Sequence, residues 1–156
     1  MVEPSDNLQA VFERAIETAK KLHHEYLTIE HLLFAMLADE SFTNCLTGFG
    51  AKSDDLKANL SDYLQHKCSE ITTQEVVVKP KKTQAVERVL NRAFTQVIFS
   101  GRQQICLIDL YLSITNETHS HAAHFLQKYG VNKETVVKSW TKQRKQNKTS
   151  KNYAEK

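Results

Sequence analysis

The sequence predicts an all-α fold, a pseudo-twofold bundle of eight helices built from two tandem four-helix repeats. Three observations carry this expectation. Apolar residues recur every three or four positions through most of the chain, the spacing of amphipathic helices. Glycine (4) and proline (2) are scarce in 156 residues, which disfavours a turn-rich β architecture. The pattern also starts again in the second half. Val11-Phe12-Glu13-Arg14-Ala15-Ile16 is echoed by Val89-Leu90-Asn91-Arg92-Ala93-Phe94, Ile29-Glu30-His31-Leu32-Leu33 by Ile108-Asp109-Leu110-Tyr111-Leu112, and Gly50-Ala51-Lys52-Ser53-Asp54 by Gly130-Val131-Asn132-Lys133-Glu134. The offset drifts from 78 to 79 to 80 residues, as in a duplication with single-residue insertions. Two such units can bury their matching apolar faces against each other.

The first repeat spans about residues 7–68, after a start at residues 1–6 expected to be frayed. Leu8, Val11, Phe12, Ala15, Ile16, Ala19 and Leu22 make one helix face, with Glu13, Arg14, Glu17, Lys20 and Lys21 outside. The stretch Leu22 to Glu40 then joins a polar turn rich in His and Glu, expected at the surface, to a strongly apolar helix. Thr28 is its expected N-cap, and Glu30 falls in the first turn, where the helix dipole favours negative charge. Ile29, Leu32, Leu33, Met36 and Leu37 leave little polar surface, so this helix belongs at the centre. Ser41 can cap a third helix carrying Phe42, Cys45, Leu46 and Phe49, with Gly48 and Gly50 at its end. Ser53, Asp54 and Asp55 open a fourth, with Leu56, Leu60, Tyr63 and Leu64 inward.

Residues 69–83, with the β-branched run before Pro80, read as an extended connector, long enough to be mobile or to form a surface feature. The second repeat, about residues 84–142, carries helices near Gln84–Ser100, Leu107–Thr115, Ser120–Tyr129 and Lys133–Lys142, with Trp140 packing the end of the last. Residues 143–156 have no apolar period and five Lys or Arg. They read as a flexible linker or tail.

Composition narrows the function classes. A hydrophobic fraction of 40% and a charged fraction of 25% suit one globular domain with a real core. No stretch approaches the ~18 apolar residues of a membrane span, and the start lacks the basic and apolar regions of a signal peptide. Cys45, Cys68 and Cys106 have no CxxC spacing, which fits a reducing cytoplasm. A net charge of +3 is too mild to imply nucleic acid, and the run Lys79-Pro80-Lys81-Lys82 lacks interleaved aromatics.

No catalytic constellation emerges. His23, His24 and His31 with Glu25 and Glu30 do not meet H-E-x-x-H or H-x-x-E-H spacing, so no two ligands share a helix face. His24 remains a candidate for an adventitious ion. His119, His121 and His124 are also loosely spaced, and the surface is their default. Cys45 and Cys106 lie on apolar faces, and Cys68 has no assignable base. There is no phosphate loop and no G-x-G-x-x-G, so this chain is not expected to hydrolyse ATP, and no cofactor is implied. What is left is fixed charge: Glu25 and Glu30 near the first turn, and Thr83, Arg88 and Arg92 after the connector, the two arginines on one helix face.

The doubled pattern, with Arg14, Ala15, Ala19, His24-Glu25-Tyr26, Thr28, Glu30 and His31-Leu32-Leu33 in its first half, resembles the Clp N-terminal domain, most closely that of ClpA-type unfoldases. Thr83, Arg88-Val89-Leu90, Arg92-Ala93 and Ser100-Gly101-Arg102 resemble the same pattern over the second half. The resemblance covers about residues 7–142. It implies an eight-helix, pseudo-symmetric and non-catalytic domain, tethered to AAA+ ATPase modules that form a hexamer and feed the ClpP peptidase. It also implies a ClpS-like adaptor as partner, unfolded substrates as possible further partners, and no membrane or nucleic acid. Adaptor-facing positions fall on Glu25, Glu30, Thr83, Arg88 and Arg92, and His24 matches a position that can take a metal ion. The isolated domain is expected to be a cytoplasmic monomer. The basic run Lys79 to Lys82 departs from the acidic connectors of ClpA-like domains. The alternative is a free-standing Clp-N-like regulator or assembly factor of a Clp complex, and a third reading is a metal-dependent hydrolase using His24 and Glu25.

Overall fold

The computed structural model describes residues 2–47 and 52–154, with side chains described for residues 2–46 and 52–143. Among these are eight α-helices: α1 (Asp6–Lys21), α2 (Ile29–Met36), α3 (Glu40–Thr47), α4 (Ser53–His66), α5 (Gln84–Phe99), α6 (Leu107–Thr115), α7 (His121–Lys128) and α8 (Lys133–Ala154). Four two-residue strands precede helices in pairs: β1 (Glu3–Pro4) before α1, β2 (Tyr26–Leu27) before α2, β3 (Lys81–Lys82) before α5 and β4 (Gln104–Ile105) before α6.

The pairing of these strands reveals the duplication. β1 runs parallel to β4, and β2 parallel to β3. Exchanging the repeats turns one pair into the other, so each repeat lends a strand to its partner at both ends of the same two-helix unit. Helix packing obeys the same exchange. α1 lies on α2 as α5 lies on α6, α3 meets α8 as α7 meets α4, and α2 meets α6 across the middle. A single core receives Val11, Leu32, Leu33 and Leu60 from the first repeat and Val89, Leu110, Tyr111 and Leu126 from the second.

Local capping sets the register of the repeat. Ser5 Oγ accepts the Leu8 N–H at 3.1 Å, and Thr83 Oγ1 accepts the Val86 N–H at 3.2 Å. Both open sixteen-residue helices. His23 and Gly101 then hold positive φ, 57° and 73°, a conformation that costs a side-chain-bearing residue more than glycine. Thr28 and Cys106 stand as the next N-caps. The offset is therefore a constant 78 from Ser5 through α6, and Ile29 corresponds to Leu107, not to Ile108. The insertions lie after α6, where the N-caps Asp39 and Ser120 are 81 apart.

Other expectations need correction. Residues 1–6 are not frayed over their described part: the Ser5 N–H donates to the Ile105 carbonyl at 2.9 Å and the Glu3 N–H to that of Gln103 at 3.0 Å. Asp39, not Ser41, caps α3, because its Oδ1 accepts both the Phe42 N–H and the Ser41 hydroxyl. The expected roles of Gly48, Phe49, Gly50 and Ala51 lie outside the described residues. The connector is sewn to the polar turn: Glu25 N–H to Ile71 O, Thr73 N–H to His23 O and Lys81 N–H to Glu25 O, all within 2.9 Å. Helix α8 continues past Lys142 to Ala154, since no glycine or proline interrupts the chain there.

Candidate functional site

The polar turn of repeat one is folded inward at its centre. His24 is buried, although this turn is expected at the surface, and so is His31 in the first turn of α2. The Thr28 N–H donates to His31 Nδ1 at 2.9 Å, so His31 carries its proton on Nε2 and donates to His24 Nδ1 at 2.8 Å. The Leu64 backbone hydrogen-bonds the ring of His24. Burial, then the neighbouring His24, pushes the His31 pKa down to about 3, and burial lowers that of His24. With its lone pair committed to His31, His24 is not available to an adventitious ion. Among the described residues no three His, Cys, Asp or Glu are grouped as metal ligands. His119, His121 and His124 are exposed.

In repeat two the counterparts of this pair are Arg102 and Asp109. Arg102 Nη1 lies 3.2 Å from Asp109 Oδ2, which also accepts the Cys106 N–H at 2.8 Å. A neutral ring pair in one repeat thus does the capping that an ion pair does in the other. Hydrogen bonding to Asp109 raises the Arg102 pKa further.

Glu30 is also corrected. It is 9% exposed, and its Oε2 accepts the Ala122 N–H at 3.0 Å, closing the first turn of α7. Burial raises its pKa. An acid in the first turn of α2 faces the other repeat because α7 packs there, which removes Glu30 from any surface a partner could reach.

The remaining expected residues form two groups. Glu25 is exposed and Thr83 half-buried, and the β2–β3 pairing puts both beside one short ribbon, with Thr83 N–H on Leu27 O at 3.1 Å. Arg88 and Arg92 share a face of α5, but both are engaged by Glu117, a residue the sequence reading missed. Arg88 Nε donates to Glu117 Oε1 at 3.0 Å, and Arg92 Nη2 lies 3.6 Å from the same oxygen. Hydrogen bonding from Arg88 holds the Glu117 carboxyl below the usual range. Arg92 Nη1 also donates to the Ser113 carbonyl at 2.8 Å, as Arg14 does to that of Ala35 at 3.4 Å. The 78-residue register pairs these two arginines, and that was the available signal.

A feature not singled out from the sequence is an apolar groove of about 440 Å³. Its lining includes Phe12 and Leu90, Ile16 and Phe94, Leu27 and Ile105, and Pro4 and Lys82. Each of these is a pair separated by 78 residues, so the groove straddles the pseudo-twofold axis. Ile16 and Phe94 are 37% and 42% exposed, large apolar side chains that the fold itself leaves uncovered.

The profile of the Clp repeat N-terminal domain matches residues 3–129. The chain belongs to the Clp repeat N-terminal domain family. This Clp N-domain is 29% identical over 133 residues to a ClpA homolog protein of Fuscovulum blasticum, covering 85% of this chain and 17% of that protein. The chain thus spans about one-sixth of that relative. Among solved structures it is similar in fold to the Hsp104 N-terminal domain of Candida albicans, with a TM-score of 0.77 at 14% identity over 91% of each chain. It is likewise similar to the N-terminal domain of the ClpV1 ATPase of an E. coli type VI secretion system. There the TM-score is 0.66 at 16% identity, over 86% of this chain and 82% of that one. Among the described residues of this chain no helix is long and apolar enough to cross a membrane.

Proposed function

We propose that this Clp N-domain is the adaptor- and substrate-docking domain of a ClpA-like AAA+ unfoldase working in the cytoplasm. It receives a ClpS-type adaptor carrying proteins with destabilising N-terminal residues, while hexamer formation and engagement of the ClpP peptidase fall to ATPase modules of the parent protein. The observation that carries this reading is the open groove on the pseudo-twofold axis, lined by Phe12, Ile16, Leu90 and Phe94. Large apolar side chains left partly uncovered along a groove are what a protein-docking surface requires.

The reading gives the domain two working surfaces. Glu25 and Thr83 by the β2–β3 ribbon, with Arg88 and Arg92 on α5, receive the adaptor, and the groove receives apolar segments of unfolded substrate. Charges on the first surface set orientation and on-rate more than bulk affinity. Because Glu117 already neutralises part of the arginine pair, Arg88, with 56% of its side chain exposed against 31% for Arg92, is the arginine an adaptor carboxylate meets.

Calorimetric titration of the purified domain with a ClpS-type adaptor tests this. Charge reversals Glu25→Lys and Arg88→Glu are expected to weaken binding at least about fivefold, the scale of losing a rim ion pair and gaining a repulsion. Affinity unchanged by both reversals overturns the assigned face.

A further inference from the structure

We propose that the axial groove selects an apolar segment of a partner protein flanked by carboxylates, and that Lys82 sets which way that segment lies. The proposal rests on the reading of the groove as a docking site and adds the chemistry of its occupant.

The argument starts from the broken symmetry of the groove. Phe12 and Leu90, Ile16 and Phe94, and Leu27 and Ile105 line it as repeat-related pairs, but the two ribbons that border it differ. On the β2–β3 side Lys82 lines the groove, and at the corresponding place on the β1–β4 side stands Pro4. The next residues outward are Lys81 and its counterpart Glu3, both exposed. Lys82 is the one charged residue of the lining among the described residues. The trough thus has one cationic side, at Lys82 and Lys81, and one side that is neutral to acidic, at Pro4 and Glu3.

The cationic half is held ready. The backbone of Lys81 and Thr83 is fixed by hydrogen bonds to Glu25 and Leu27 carbonyls at 2.9 and 3.1 Å. Pro80 is buried while Lys79, Lys81 and Lys82 are exposed, so the proline anchors the run and turns its charges outward. Among the described residues no carboxylate pairs with Lys81 or Lys82, and Glu25, the acid nearest along β2, makes no ion pair with either. A cation on the rim of an apolar trough is screened less than one in open water. An uncommitted lysine beside Leu27, Leu90 and Phe94 therefore matches a segment whose apolar residues fill the trough and whose acid reaches the lysine. The same match disfavours a segment with a cation at that place.

The test uses fluorescence anisotropy of the whole chain with three fluorescein-labelled synthetic peptides sharing one Leu/Phe-rich core, flanked on one side by two Glu, two Gln or two Lys. The expected order of affinity is Glu over Gln over Lys, each step about two- to fivefold, the range for a partly exposed pair. The preference shrinks in roughly 0.5 M NaCl as screening shortens. Lys82→Glu reverses the order, and Lys82→Gln levels it. Phe94→Asp, at a side chain already half exposed, weakens all three alike, with circular dichroism checking that the helices persist. If the three peptides bind equally, or Lys82→Glu leaves the order intact while Phe94→Asp still weakens binding, the groove reading stands and the charge selection is overturned. If no peptide binds, or Phe94→Asp changes nothing, the groove reading fails and this proposal with it.

Discussion

His24 and His31 face each other at 2.8 Å in the interior of repeat one, and the donor directions of Thr28 and His31 require both rings to be neutral. A proton added to either ring would set two N–H groups against each other or leave a charge out of water. The pair ties the turn before α2 to the end of α4, so its protonation state bears on how the whole first repeat closes.

Stability is therefore expected to fall with acid. The folded pKa of His31 is about 3 against 6.5 for the unfolded chain. The unfolded state binds the proton first, so stability is complete above pH 6.5 and declines as pH falls toward 3. Between pH 7 and pH 5 the loss is roughly 2 kcal/mol by linkage. Glu30, whose pKa is raised, works in the opposite sense, gaining stability as pH falls through its folded value. His31→Gln keeps an acceptor at the third helical position and should flatten the slope. Urea unfolding at several pH values measures both curves, and a wild-type slope equal to that of the variant would exclude the ring pair as its source.

Glu30 should behave as a structural acceptor. Glu30→Ala leaves the Ala122 N–H without a buried partner and should cost about 2 kcal/mol. Glu30→Gln keeps an oxygen for that N–H and removes the buried charge, so it should cost well under half as much. Thermal unfolding of the two variants separates them. Equal losses would mean that the carboxylate charge, not the acceptor, supports α7.

Arg88 and Arg92 look equivalent in a helical wheel but should differ in effect. Arg88 makes an exposed pair, and Arg88→Ala should cost no more than about 0.5 kcal/mol. Arg92 also holds the last turn of α6 through the Ser113 carbonyl, and Arg92→Ala should cost about 1–2 kcal/mol. Chemical denaturation decides, and a larger loss at Arg88 would reverse the assignment of which arginine serves the fold.

Much of the architecture was legible because helical periodicity, scarce glycine and internal repetition are local signals. The limits of α5 and α6 and the inward faces of α1, α2 and α4 follow from side chains three and four apart. Thr28 is legible as a cap from its residue type, whereas the capping of α5 by Thr83 is seen only in the fold. The exact repeat register did not, because Leu107-Ile108 offers two equally apolar alignments with Ile29, and only the caps choose between them.

The sequence by itself determined the helices, their duplication and the family, since each depends on spacing along one chain. The tertiary structure alone decided which polar residues stay exposed and which face the other repeat. Glu30 and His24 have the composition of surface residues, yet an acceptor under α7 and a ring against His31 bury them. The groove on the symmetry axis exists only where residues 78 apart come together, and burial is settled by what packs against a side chain, not by the side chain itself.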